Sequence, residues 1–317
     1  MPMGTSIAAG VAGAADAADT AGAAGAAAPP GAEPETARPR PGLYLHVPFC
    51  SAICPYCDFA VLTGGPRRRA AFVDSLVAEI AASSAEAERW RTIDTVYFGG
   101  GTPSALEPEQ LASILAAARA ALPVAREAWI ALEANPEDVT AESVERWRDL
   151  GIAMLSLGLQ SFDAGTLRFL GRRHTPAQAR QAVELALGAG FPVVSIDLIY
   201  GTSDRGGTGE AAVPARWRND LEQAVALGPQ HLSCYQLTIH EGTPFGFRAA
   251  RGELRELPEA DQAEVFRFTH TFLADQGYAA YEISNFARAP EHQSRHNRKY
   301  WDHTPYLGLG PSAHSFD

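Results

Sequence analysis

Three of the chain's four cysteines, Cys50, Cys54 and Cys57, fall within one stretch, "FCSAICPYCDF", Phe49 to Phe59. Their C-x3-C-x2-C spacing lies on a segment that Pro48 and Pro55 keep out of helical geometry, and a loop of that kind can wrap one metal centre. Structural zinc takes four protein ligands, usually from paired groups, and no second CxxC is present; His46 is the nearby residue that could complete such a site. A [4Fe-4S] cluster held by three thiolates leaves one iron without a protein ligand, and a small molecule can then bind that iron directly. Three thiolates permit this and four do not. A redox-active dithiol is the third reading.

The elements that must position this loop follow from the pattern downstream. Short apolar or β-branched runs, "LYLHV", "TVYFGG", "WIALEAN", "MLSLGLQS", "VVSIDLIYG" and "HLSCYQL", alternate with longer Ala/Leu/Glu/Arg segments of helical period. Six βα units predict a parallel sheet covered by helices, wound by right-handed crossovers into a barrel or part of one. In such a fold chemistry sits at the strand C-termini. The cysteine loop follows the first strand, "GGGTP" the second, "EANP" ends the third, "GLQS" the fourth and "IDLIYG" the fifth, so five strands point at one rim. Glu133, inside an otherwise apolar run, needs a charged or hydrogen-bonding partner once buried. Cys234, in the sixth strand and remote from the loop, reads as a buried structural cysteine.

Composition bounds the rest. Residues 1–41 are Ala/Gly/Pro-rich with little bulky apolar content, which predicts a disordered leader. Four cysteines with three clustered give no framework of disulfides, so the expected setting is a reducing one, the cytoplasm. No run of apolar residues long enough to span a bilayer occurs, and the N-terminus lacks a signal-peptide pattern. A formal charge of −11 argues against a general nucleic-acid binder. Nearly all the positive charge is arginine, Lys299 being the single lysine.

The cysteine motif with Tyr56 before its last member resembles the radical S-adenosylmethionine (SAM) superfamily. The likeness runs from about residue 43 to 317 through "YLHVPFC", "GGGTP", "EANP", "LGLQSF", "LGRRH", "DLIYG" and "HNRKYW", in that order. Within the superfamily the chain is most similar to the haem chaperones related to the oxygen-independent coproporphyrinogen III oxidases. This resemblance implies an α/β fold, a partial parallel (β/α)6 barrel over residues 42–242, with an extension at 243–317 that stops short of the family's small C-terminal domain.

It also implies a [4Fe-4S] cluster on Cys50, Cys54 and Cys57, with SAM on the open iron. A reduced cluster would pass an electron to the SAM sulfonium. Gly100, Gly101 and Thr102 would approach SAM closely, glycine because a Cβ would obstruct contact. Tyr44 and Tyr56 would lie against it. Glu133 would meet its ammonium or a hydroxyl, Gln160 would be a neutral donor, Arg172 a carboxylate-binding guanidinium and Asp197 a ribose acceptor.

Two functions are in play. The oxidases carry a further cysteine two residues after the last of the motif, where this chain has Phe59. The tail motif at His296, Tyr300 and Trp301 offers an imidazole that could ligate haem iron and rings that could pack on a porphyrin, with His240, His303 and His314 as weaker ligands. Both features favour a chaperone that carries haem as cargo to a membrane respiratory haemoprotein, working at the inner face of the membrane and as a homodimer. The alternative is radical decarboxylation of coproporphyrinogen III.

Overall fold

The structure, a computed structural model, describes residues 39–201 and 213–317; the expected leader therefore lies, up to residue 38, outside the described residues. Six long strands form the centre: β1 (Gly42–Val47), β2 (Ile93–Gly100), β3 (Val124–Ala134), β4 (Ile152–Gln160), β5 (Val193–Tyr200) and β6 (His231–Gln236). They lie side by side in chain order, every neighbouring pair parallel. This is the arrangement the βα repetition predicts, because parallel neighbours need a crossover between them. The third strand starts earlier than its apolar run "WIALEAN", since Val124–Ala128 extends the ladder.

The C-terminal segment contributes to both edges of the same sheet. Strand β7 (Asn285–Ala287) pairs antiparallel with β6, and a two-residue strand, Ala279–Ala280, follows it at that edge. Strand β8 (Tyr306–Leu309) pairs parallel with β1 at the other edge. Neither addition shows as a strong alternating pattern, so the sequence alone does not reveal them.

Period-two alternation sorts the central strands into two faces. Leu43, Leu45, Val96, Phe98, Ile130, Leu132, Leu155, Leu157, Val194, Ile196 and Leu232 are all within the main apolar core. The covering helices include α1 (Pro66–Ala82), α2 (Pro108–Ala121), α3 (Ala141–Asp149) and α4 (Pro176–Gly188). Thr140 and Thr175 start α3 and α4 with reciprocal capping boxes to Ser143 and Gln178, which satisfy first-turn N–H groups. The opposite, concave face carries the residues in between, and many are polar: His46, Thr95, Glu133, Ser156, Ser195, Asp197, His231 and Ser233. A strand buried on both faces is ordinarily apolar on both. The polar inner face therefore marks where function is built.

A short helix, α5 (Arg295–Trp301), closes the strand N-terminal end of that concave face. The Arg295 guanidinium lies 4.2 Å from the Trp129 ring centre, and Lys299 pairs with Asp94 at 2.7 Å. No helix among the described residues is long and apolar enough to cross a membrane.

Candidate cofactor site

The cysteine loop leaves β1 through a short ladder, Phe49–Cys50 beside Leu62–Thr63. The Cys57 amide donates to the Cys54 carbonyl at 3.1 Å, closing a turn, and the Phe245 amide donates to the Pro55 carbonyl at 2.9 Å. The thiols of Cys50, Cys54 and Cys57 are all half-buried. Burial pushes the Cys50 and Cys57 thiols up, with further repulsion on Cys50 from Cys57 and Cys54 and on Cys57 from Cys54 and Asp58. Among the described residues no three His, Cys, Asp or Glu side chains converge closely enough to hold a single metal ion. His46, the one candidate for a fourth zinc ligand, is engaged on both sides. Its Nδ1 accepts from the Tyr44 hydroxyl at 3.0 Å and its Nε2 donates to the Ala60 carbonyl at 2.9 Å.

Against this loop lies a cavity of about 420 Å³ at the strand C-termini. Its lining unites Cys50, Cys54, Cys57, Tyr56, Gly100, Gly101, Thr102, Glu133, Gln160, Arg172 and Asp197. Of the residues expected to hold the cluster or SAM, Tyr44 stands outside it, and so does His296 of the tail motif. Tyr44 stacks on Tyr97 with ring centres 6.2 Å apart and lines a second cavity of about 320 Å³ that shares Phe59, Gly100 and Glu133 with the first.

Of the three carboxylates that line this space among the described residues, Asp58 pairs with His240 at its rim, and Glu133 and Asp197 come from the inner face of the sheet. Glu133 accepts from the Tyr97 hydroxyl at 2.7 Å and the Gly100 amide at 3.1 Å. Burial nevertheless pushes it up to about 7, with Asp197 adding repulsion. Burial also pushes Asp197 up to about 6, against donors from Ser233, Ser156 and Ser195. Arg172 also lines the space and favours the ionised form of Asp197; it donates to the Asn135 side-chain oxygen at 2.6 Å, to the Gly158 carbonyl at 2.7 Å and to the Cys54 sulfur at 3.5 Å. Its Nε is buried without a partner among the described residues. The Thr102 hydroxyl donates to the Cys50 sulfur at 3.5 Å and accepts from the Asn135 side-chain amide at 3.0 Å. Asn135 thus ties the second strand's loop to Arg172.

The glycines of "GGGTP" have reasons nearer than a ligand. Gly100 has φ 111°, and a Cβ there would lie 2.5 Å from the His46 ring. A Cβ on Gly101 would lie 2.8 Å from the Phe49 carbonyl oxygen, and the Gly101 and Thr102 amides donate to Val47 and Phe49. These glycines let the second strand's turn seat against the stem of the cysteine loop. Gln160, at the end of β4, has φ 71°, a left-handed conformation uncommon for a residue with a side chain.

Sequence reasoning overlooked Tyr97, Asn135 and Ser156. Tyr97 carries a signal, since it alternates in phase with Thr95, and Ser156 is a polar residue between two leucines of an apolar strand, whereas Asn135 is readable only as part of "EANP". The tail motif has a different place from the one expected of a haem ligand. His296 is fully buried; its Nδ1 bonds the Thr95 hydroxyl at 2.9 Å and its Nε2 the Tyr300 hydroxyl at 3.0 Å. Its ring stacks on Tyr97 at 5.2 Å, and burial with the nearby Lys299 charge drives it down to about 3. As placed, His296 offers haem iron no coordination position. Of the other histidines, His314 is exposed beside the second cavity, His303 is exposed near Phe316, and His240 pairs with Asp58 at 3.2 Å on the rim of the first.

A parallel half-barrel with three cysteines looped over the strand C-termini defines a class, and the radical SAM superfamily model matches residues 44–206. The chain is 38% identical over 274 residues to the heme chaperone HemW of Escherichia coli, covering 86% of this chain and 69% of that protein. It is 38% identical over 297 residues to the heme chaperone HemW of Mycobacterium tuberculosis, covering 90% and 72% respectively. The solved structure of E. coli HemN, described as a coproporphyrinogen III oxidase and radical SAM enzyme, superposes with a TM-score of 0.73. It does so at 24% identity, over 87% of this chain and 65% of that one, which is a likeness of fold. The chain belongs to the radical SAM superfamily and, within it, to the family of the HemW proteins.

Proposed function

We propose that this protein is a haem chaperone that carries a [4Fe-4S] cluster and SAM and passes haem to a membrane respiratory haemoprotein. The observation that carries the cofactor reading is the cavity that brings three half-buried thiols together with the half-buried carboxylates of Glu133 and Asp197 and with Arg172, whose Nε lacks a partner among the described residues. Cys50, Cys54 and Cys57 would hold the cluster, which supplies one-electron chemistry at a sulfonium when SAM is bound. The chain's own residues do the rest. Glu133 and Asp197 give a cationic ligand two acceptors in a buried space, where such contacts are stronger than in water. Arg172 supplies the donor for a carboxylate while bonding the Cys54 sulfur, so it couples ligand position to loop position. Tyr97 and the Gly100 amide orient Glu133.

The chaperone reading over the decarboxylase rests on the names of the relatives and on Phe59. Its ring is 65% exposed at the mouth shared by the two cavities, at the position where the oxidases carry a further cysteine. An exposed aromatic there suits the apolar face of a porphyrin. Anaerobically reconstituted protein is expected to bind haem in a spectroscopic titration and to form no protoporphyrinogen IX from coproporphyrinogen III with SAM and reductant. SAM-dependent decarboxylation would reverse the assignment. A cytoplasmic location, transient work at the inner membrane face and a homodimer are parts of the same proposal.

A further inference from the structure

An asparagine at the start of a helical turn ordinarily caps it with its side chain, because the amide oxygen can accept from a first-turn N–H. Asn135 does not. Pro136 follows it and restricts it to extended backbone, at φ −89° and ψ 147°, and its side chain forms no cap bond to the turn Pro136–Asp138. It lines the ligand cavity instead, bonded to Arg172 on one side and Thr102 on the other. The main chain beneath it is held separately: the Asn135 amide donates to the Ser104 hydroxyl oxygen at 3.2 Å, and that hydroxyl donates to Asp138 at 2.7 Å.

Arg172 fixes the direction of every bond that follows from it. A guanidinium carries only donors, so the Asn135 atom that meets its Nη2 at 2.6 Å must be the side-chain oxygen. The side-chain nitrogen therefore faces Thr102 and donates to its Oγ1 at 3.0 Å. With that oxygen already accepting, the Thr102 hydroxyl has its proton for another partner, and the Cys50 sulfur lies 3.5 Å away. Thr102 is buried, so water has little access to this bond. One arginine thus acts on two of the three clustered cysteines: on Cys54 directly, through Nη1 at 3.5 Å, and on Cys50 through an amide and a hydroxyl.

We infer that Asn135 is a positioning residue that raises the reduction potential of the cluster, by aiming the Thr102 hydroxyl at Cys50 and steadying Arg172 against Cys54. The inference rests on the cluster reading above. One-electron reduction adds one negative charge to the cluster and its thiolates, and donors aimed at those sulfurs favour the reduced form. Bonds in series polarise one another, so the Arg172 charge strengthens the far donor as well as the near one. Asn135 acts through these two neighbours. An amide turned the other way would set donor against donor at Arg172 and offer the Thr102 proton an oxygen in place of the sulfur.

The test is an EPR-monitored redox titration of the whole, anaerobically reconstituted chain, run without SAM so that ligand affinity does not enter the reading. Asn135→Ala should lower the equilibrium constant for reduction about tenfold, a fall of about 59 mV for one electron. Thr102→Val should lower it about fivefold, and Thr102→Ser, which keeps the hydroxyl, should stay near wild type. The double variant Asn135→Ala/Thr102→Val should lie close to Asn135→Ala alone, because both changes disable the same bond to Cys50, whereas independent effects would multiply to about fiftyfold. Iron and sulfide should match wild type throughout. An unmoved potential in Asn135→Ala, whatever its melting temperature, would make the residue a structural tie and overturn the inference. Shifts that multiply in the double variant, a Thr102→Ser potential as low as that of Thr102→Val, or loss of iron from Asn135→Ala would overturn it too. Absence of iron and sulfide from wild type would sink the cluster reading itself, and this inference with it.

Discussion

The two ends of the central sheet use the same polar residue types to opposite ends. At the strand N-termini His231 and His296 are fully engaged: His231 bonds the Ser195 hydroxyl and the Tyr281 hydroxyl, both at 2.7 Å, and His296 bonds Thr95 and Tyr300. Burial holds both imidazoles neutral, down to about 3. At the strand C-termini the polar groups are partnered only in part. Burial drives Glu133 and Asp197 up, the Arg172 Nε has no acceptor among the described residues, and the three thiols are half-buried. A polar cluster that satisfies itself is structure, and one left incomplete is a place for a ligand.

The largest effect expected from that contrast is all-or-none. Substituting Cys50, Cys54 or Cys57 by alanine should abolish the cluster, measured as iron and sulfide per chain, while Cys234→Ala should retain it at a cost of about 1 kcal/mol of stability for the small space left in the core. Loss of iron in Cys234→Ala, or its retention in the other three, would erase the distinction.

Next comes the closed end. His296→Ala removes a buried ring and strands the Thr95 and Tyr300 hydroxyls, so chemical denaturation should show a loss of about 2–5 kcal/mol. Haem affinity of the folded variant should stay near that of wild type. A selective loss of haem binding with unchanged stability would restore His296 as a ligand and show that α5 opens.

The carboxylates give a smaller effect with a defined sign. In the ligand-free protein Glu133 and Asp197 hold protons up to about 7 and about 6, above the ordinary values of 4.5 and 3.8. Between those limits the native state binds more protons than the unfolded chain, so stability falls as pH rises through this window. A cationic ligand favours the ionised forms, so SAM affinity should rise over the same window. Melting curves across pH, with and without SAM, should show this, and Glu133→Gln should flatten both trends and weaken SAM about tenfold, or about 1.4 kcal/mol.

Much of the open end was legible because its residues are unusual for their positions. Clustered cysteines, a triple glycine and a glutamate in an apolar strand each conflict with ordinary packing, and the βα count puts them at the C-terminal ends of the first three strands. The closed end was not legible. A histidine four residues before a tyrosine looks the same whether it faces a porphyrin or the inside of a barrel, and only the long-range approach of α5 to Thr95 and Tyr97 decides. The glycines have a packing reason that no local pattern predicts, since Gly101 lies against the Phe49 carbonyl.

The central claim is that the open end holds a cluster with one iron free for SAM. It is tested most directly by EPR of the reduced, reconstituted protein before and after SAM is added. A [4Fe-4S] signal whose g-values shift on addition of SAM, and fail to shift in Glu133→Gln at the same concentration, is the predicted result. A signal indifferent to SAM in wild type, or stoichiometric zinc with no sulfide, would contradict it.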